Sequence, residues 1–227
     1  LLTLARRGVA IAEVVSLNRI VADYLNSPEH KRILLYHPDT KIETALHPDL
    51  LNILGSPVHL AKTVMNLLSN AAEAMPQGGT IRITTENLYL DRPLRGYDTI
   101  SMGDYCVLTV SDEGIGMTSE EAERIFEPFY TKKVMGRSGT GLGMTVVWGT
   151  VKDHQGYILV KTDKGSGTTF KLYFPVTRKD LAEALPPMQI EDWKGKGERV
   201  LVIDDVEEQR DIAFRMLTRL GYEAHTV

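Results

Sequence analysis

The chain has 227 residues, 43% hydrophobic and 25% charged, with a formal net charge of −4. This is ordinary globular composition with room for one sizeable core and smaller appendages. The mild acidity gives no reason to expect nucleic acid or an anionic membrane as partner. The one cysteine, Cys106, rules out an internal disulfide or a cysteine-based zinc site, so a reducing, cytoplasmic setting is expected. No apolar run reaches the roughly 18 residues of a spanning helix, and no signal peptide is visible. Both ends read as cut from something longer, which leaves open a membrane attachment in the parent protein.

Residues 1–26 place apolar side chains at helical spacing, Leu4, Ile11, Val14, Val15, Val21 and Leu25 among them. The pattern predicts one helix, interrupted in its seam by Gly8 and Asn18 and ended by Asn26-Ser27-Pro28. Residues 33–36 and 42–46 read as strands around the turn His37-Pro38-Asp39. A strong helix follows over 58–75, with Leu60, Val64, Leu67, Leu68, Ala71 and Met75 on its apolar face. Asn66, Asn70 and Glu73 share the opposite face. Asparagine is a mediocre helix former, so two aligned in mid-helix ask for a reason. Their side-chain carbonyls suit a hard cation such as Mg²⁺; an ordinary solvated face is the alternative.

Residues 80–85 read as a strand, and so does Cys106-Val107-Leu108-Thr109-Val110, which runs into Asp112-Glu113-Gly114-Ile115-Gly116. A carboxylate delivered by a strand into a glycine-lined turn suits a flat ligand, although Asp-Gly pairs also mark ordinary turns. Thr118-Ser119-Glu120-Glu121 starts a helix. Phe126 and Phe129 read as packing anchors, followed by Lys132 and Lys133. The run from Gly136 to Gly143 holds four glycines and feeds a helix over 144–154, whose open N–H groups suit phosphate oxygens. It is neither a P-loop nor a Rossmann fingerprint. Strands over 157–161 and 168–174 flank Lys164-Gly165-Ser166-Gly167. A linker over 177–198 leads to a strand ending in Asp204-Asp205 and an amphipathic helix over 207–220.

Taken in order, Asn66 to Ala71, Asp112 to Gly116, Phe126 to Phe129, Gly139 to Gly143 and Gly165 to Phe170 resemble the sensor histidine kinases. Their catalytic domain has the Bergerat ATP-binding fold. The resemblance covers residues 50–175 and implies an α+β class, a two-layer sandwich whose mixed sheet is covered by helices on one face. It implies ATP and Mg²⁺ as ligands, with Asn70 holding the metal and Asn66 assisting. Asp112 would accept from the adenine amino group, and Gly114 and Gly116 would pass under the base. Lys133 would be the lid cation, Gly141 and Gly143 would bring amides to the phosphates, and Gly139, Thr140, Leu142 and Thr168 would also bind the cofactor. Residues 1–26 resemble the second helix of the family's dimerisation hairpin, and 27–176 the catalytic domain, which implies a homodimer.

None of the six histidines is followed by Asp or Glu as the family's phosphoacceptor usually is, so the acceptor is expected on a helix outside this chain. Residues 199–227 resemble the start of a receiver domain, Asp204 and Asp205 holding Mg²⁺ only in an intact one; two acids ending an unrelated strand is the alternative. Fewer than thirty residues bury little core, so this segment is expected to be disordered or to borrow a surface. A response regulator or receiver is the implied downstream partner. Two other readings stay open: an ATPase of the superfamily shared with type II topoisomerases and Hsp90 chaperones, and a non-catalytic nucleotide-binding module. The ATPases place a glutamate base four residues before the metal asparagine, where this chain has Asn66, which cannot serve as a base.

Overall fold

In the computed structural model, which describes residues 13–95, 99–131, 141–181 and 193–227, the N-terminal apolar pattern is not one helix. Strand β1 covers Glu13–Val15, and helix α1 runs Leu17–Leu25. Between them Ser16 takes an extended backbone and its side chain accepts the Arg19 N–H, which fixes a helix start there. Val14 and Val15 fit the helical spacing, yet their β-branched side chains favour the strand they occupy. The reading of 1–26 as a separate helix is corrected for residues 13–25; residues 1–12 lie outside the described residues.

A second correction follows at once. Helix α2 covers Pro28–Tyr36, started by Ser27 as N-cap and Pro28 in its first turn, where a strand over 33–36 was expected. Leu35 and Tyr36 are 80% and 72% exposed, so this apolar run does not mark a buried strand. Strand β2 is Thr40–Ala45 and β3 is Asn52–Gly55, to which β1 pairs antiparallel. Helix α3, Pro57–Glu73, buries Leu60, Val64, Leu67, Leu68 and Ala71 as the periodicity requires.

Strand β4 runs Gly79–Leu90, and a short hairpin of β5 (Leu94–Arg95) and β6 (Thr99–Ile100) leads to β7, Gly103–Asp112. Helices α4 (Ser119–Arg124) and α5 (Gly143–Asp153) precede β8 (Tyr157–Thr162) and β9 (Thr168–Thr177). The sheet order is β1-β3-β9-β7-β4-β2, with β8 also paired to β9. Only β2 and β4 pair in parallel, which makes the sheet mixed.

Side-chain alternation along β7 separates two apolar layers. Cys106, Leu108 and Val110 join the main core with residues of α1, α3 and α5. Tyr105 and Val107 face the other way and pack with Tyr173 and Ile100 of β6, so the hairpin excursion covers part of that face. The register sets Asp112 opposite Thr168, which brings the two strand ends together where α3 passes.

Contacts divide the chain into two compact units, 1–181 and 182–227. In the second, β10 (Arg199–Val202) and β11 (Glu223–Thr226) pair in parallel and are connected by α6, Glu207–Arg219. The disorder expected of this segment is not what the structure shows. Its core is nevertheless small: Ala224 is its one buried apolar residue among those described, and Leu201, Ile203 and Ile212 are exposed.

Candidate functional site

A cleft of about 680 Å³ opens between α3, the turn after β7, α4 and the start of α5. That is the size range of small-molecule sites. Its middle is apolar, lined by Ala71, Ile115, Met117, Ile125, Met144 and Phe170, and its ends are polar and unlike one another.

Asp112 forms one end. Its Oδ1 accepts the Gly114 N–H at 2.9 Å and the Thr168 N–H at 3.2 Å, so the antiparallel partner strand and the following turn both hold it. Among the described residues the hydrogen bonds to this carboxylate both go to Oδ1, and Oδ2 is able to accept another. Burial pushes the carboxyl above its ordinary value, while those two N–H groups pull it down. Thr168 itself is buried, its hydroxyl 3.1 Å from that of Thr162. The turn needs its glycines for contacts within the protein. Gly116 has φ +60, and a Cβ there would lie 2.0 Å from the Asp163 carbonyl oxygen; one at Gly114 would lie 2.7 Å from that of Ala74. Of the two, Gly116 lines the cleft and Gly114 is buried behind it.

Asn66 and Asn70 form the other end, half-buried on successive turns of α3. Gly141 and Gly143 line it too, and Leu142, the N-cap of α5, makes no side-chain capping bond. The first N–H groups of α5 therefore remain available to an anion. The Phe129 N–H donates to the Gly141 carbonyl at 3.0 Å, joining the chain on either side of residues 132–140. Phe126 packs on Trp148 as expected of an anchor, but Phe129 is 69% exposed with φ +66, and its backbone rather than its ring is used. Lys133, Gly139 and Thr140 lie outside the described residues.

Chemically, the donor set fits a Mg²⁺ ion that arrives with a polyphosphate. No group of three His, Cys, Asp or Glu among the described residues could cage a metal. Amide oxygens from one helix face would complete a shell made mostly of phosphate and water. The apolar lining was missed as a lining: Ile115 and Phe170 stand inside the quoted motifs without a role of their own there, and Met144 was read only as the start of a helix. Only the fold brings these scattered residues together. No helix among the described residues is long and apolar enough to cross a membrane.

Fold and cleft together define a nucleotide-binding α+β sandwich. Residues 55–178, more than half of the chain, match the family described as histidine kinase-, DNA gyrase B-, and HSP90-like ATPase. The sensor kinase CckA of Brucella abortus (strain 2308) is 32% identical over 237 residues, which cover 99% of this chain and 24% of that one. Sporulation kinase E of Bacillus subtilis (strain 168) is 36% identical over 138 residues, 61% of this chain and 16% of the relative. Among solved structures, the mycobacterial sensor histidine kinase MprB superposes with a TM-score of 0.56 at 23% identity, over 73% of this chain and 98% of that one. The catalytic domain of histidine kinase ThkA gives 0.57 at 22%, over 73% and 95%. At those identities the structures establish the fold, the Bergerat sandwich. The chain belongs to the histidine kinase-, DNA gyrase B- and HSP90-like ATPase family. It spans 24% of CckA and 16% of sporulation kinase E.

Proposed function

We propose that this chain holds Mg·ATP in the α3–α5 cleft and presents its γ-phosphate to a histidine imidazole borne by a helix outside the chain. The observation that carries this is the polarity of the cleft: an anchored carboxylate at one end, two amides and an open helix start at the other. Asp112 accepts from the adenine amino group, the apolar middle stacks the base, and the α5 N–H groups take phosphate oxygens. Mg²⁺ would be held by Asn70 with Asn66, and it supplies neutralisation of the phosphate charge. Lys133 and the segment through Thr140 would close over the phosphates. The hollow lined by Arg32, Tyr36 and His37 adjoins Asn66 and gives the acceptor segment an approach. Homodimerisation through a histidine-bearing hairpin, and a response regulator or receiver as the next phosphoacceptor, follow from the same reading.

Residues 199–227 are read as the first strand, helix and second strand of a receiver-type unit. Asp204 and Asp205 follow β10 after Ile203, and the Asp204 Oδ1 accepts the Val206 N–H at 2.8 Å. They would serve Mg²⁺ only beside an acceptor aspartate that these residues do not include.

The test is transfer of label from γ-labelled ATP to a supplied histidine-bearing hairpin of the same parent protein. Acid-labile label on the hairpin, lost with Asn70→Ala, is the expected result. Release of labelled phosphate with no transfer overturns the kinase reading in favour of the ATPase one.

A further inference from the structure

One imidazole ties the end of α5 to the beginning of α3. His154 is 6% exposed. Its Nδ1 lies 2.6 Å from the Thr150 carbonyl oxygen and its Nε2 is 2.9 Å from the Ser56 N–H. Both contacts are satisfied together by one tautomer only: Nδ1–H donates to Thr150, and the bare Nε2 accepts from Ser56. Ser56 is the N-cap of α3. The ring also fills the place of a side chain on β3, since a Cβ at Gly55 would lie 2.2 Å from it. Its other neighbour is the Phe174 ring on β9, edge to face at 6.1 Å.

The same two helices meet again at the cleft. A Cβ on Gly143, the first residue of α5, would lie 3.3 Å from Asn66 Oδ1. From Ser56 to Asn66 along α3, and from His154 back to Gly143 along α5, are about 15 and about 16 Å at roughly 1.5 Å per residue. The pair is thus fastened at one end by His154 and opens onto the phosphate end of the cleft at the other.

We infer that His154 is a positioning residue for the nucleotide: its neutral ring sets the α3–α5 spacing at which Asn66, Asn70 and the first turn of α5 share one ligand. This rests on the cleft being the ATP site. Protonation puts a hydrogen on Nε2 facing the Ser56 N–H, two donors with no acceptor between them. Burial holds the imidazole below its ordinary value of 6.5; the Thr150 carbonyl and then Asp153, both on its own helix, favour the charged form, and His59 on α3 disfavours it, while Gly55 of β3 and the Phe174 ring of β9, which also touch it, carry no charge. A lowered folded value means the latch is complete above the unfolded value and is lost as pH falls through the folded one.

Two substitutions divide the ring's roles. His154→Gln places an oxygen near Nε2 and keeps the bond from Ser56 without titrating, whereas His154→Asn reaches only the position of Nδ1. Mg·ATP affinity is measured by calorimetry from about pH 7.5 to about pH 5.5, a window chosen around the imidazole's range. The wild-type chain is expected to lose about two- to tenfold more affinity over this window than His154→Gln, the scale of one buried hydrogen bond. Terms from Asp112 and from ATP itself are common to both and cancel. His154→Asn is expected to bind weakly even at the upper pH, and the Ser56 amide to lose exchange protection in parallel. Equal pH slopes for wild type and His154→Gln, or full affinity in His154→Asn, overturn the inference. Failure of the wild-type chain to bind at the upper pH overturns instead the nucleotide reading beneath it.

Discussion

Asp112 is held by two backbone N–H groups but buried against its own charge. A folded pKa above the ordinary 3.8 means that its contribution to stability is complete only below that value and is lost as pH rises through the raised one. Asp112→Asn keeps an Oδ1 for Gly114 and Thr168 and removes the charge. The apo chain with this substitution is therefore expected to melt at the same temperature or higher at neutral pH, with the gain shrinking as pH is lowered; a clear loss at neutral pH would show that the turn needs the carboxylate. Ligand preference moves the other way. The new amide N–H₂ meets the adenine amino group donor to donor, and ATP affinity falls by about 1.5–3 kcal/mol, the worth of a hydrogen bond to a charged group. Competition between ATP and GTP reads this directly, and an unchanged ratio removes Asp112 from the base.

At the scale of elements, the turn after β7 interlocks with the β8–β9 turn. The Gly165 N–H donates to the Ile115 carbonyl at 2.7 Å, and the Met117 N–H to Thr162 Oγ1 at 2.9 Å. A Cβ at Gly116 would strike the Asp163 oxygen and would also sit at φ +60. Gly116→Ala is expected to cost about 1–3 kcal/mol or more in denaturant unfolding, from backbone strain and the clash together, and to weaken ATP with it. Such interlocking is invisible in a single sequence, although Asp-x-Gly-x-Gly announced a turn. Helix α3 was legible because its apolar period runs through seventeen residues and its Ser56-Pro57 start is explicit. The run Ile33-Leu34-Leu35 was not, since a short apolar stretch fits either period. Strand β4 continues to Leu90 because its pairing with β7 persists to Leu90↔Gly103, five residues past the expected end at Thr85. Phe129 and His154 were misjudged or missed for one reason: their partners, Gly141 and Ser56, are chosen by the fold, the latter 98 residues away.

For the whole molecule, the single cysteine reports on the first unit. Cys106 lies at the middle of β7 between β4 and β9, with no exposure, and burial pushes its thiol up to about 12. A thiol reagent can reach it only when the central strand opens, an event that costs most of the unit's stability. Every member of both apolar clusters falls between Val15 and Val176, so a chain ending at Leu181 carries its own core. That shortened chain is expected to fold, to bind Mg·ATP and to protect Cys106. Because ATP binds the folded form alone, nucleotide at about a hundred times its dissociation constant should slow labelling about a hundredfold. Labelling at the same rate with and without Mg·ATP, in a chain that binds it by calorimetry, would mean that Cys106 is reached by a local opening that leaves the cleft intact. The central strand would then not be the last part of the sheet to yield.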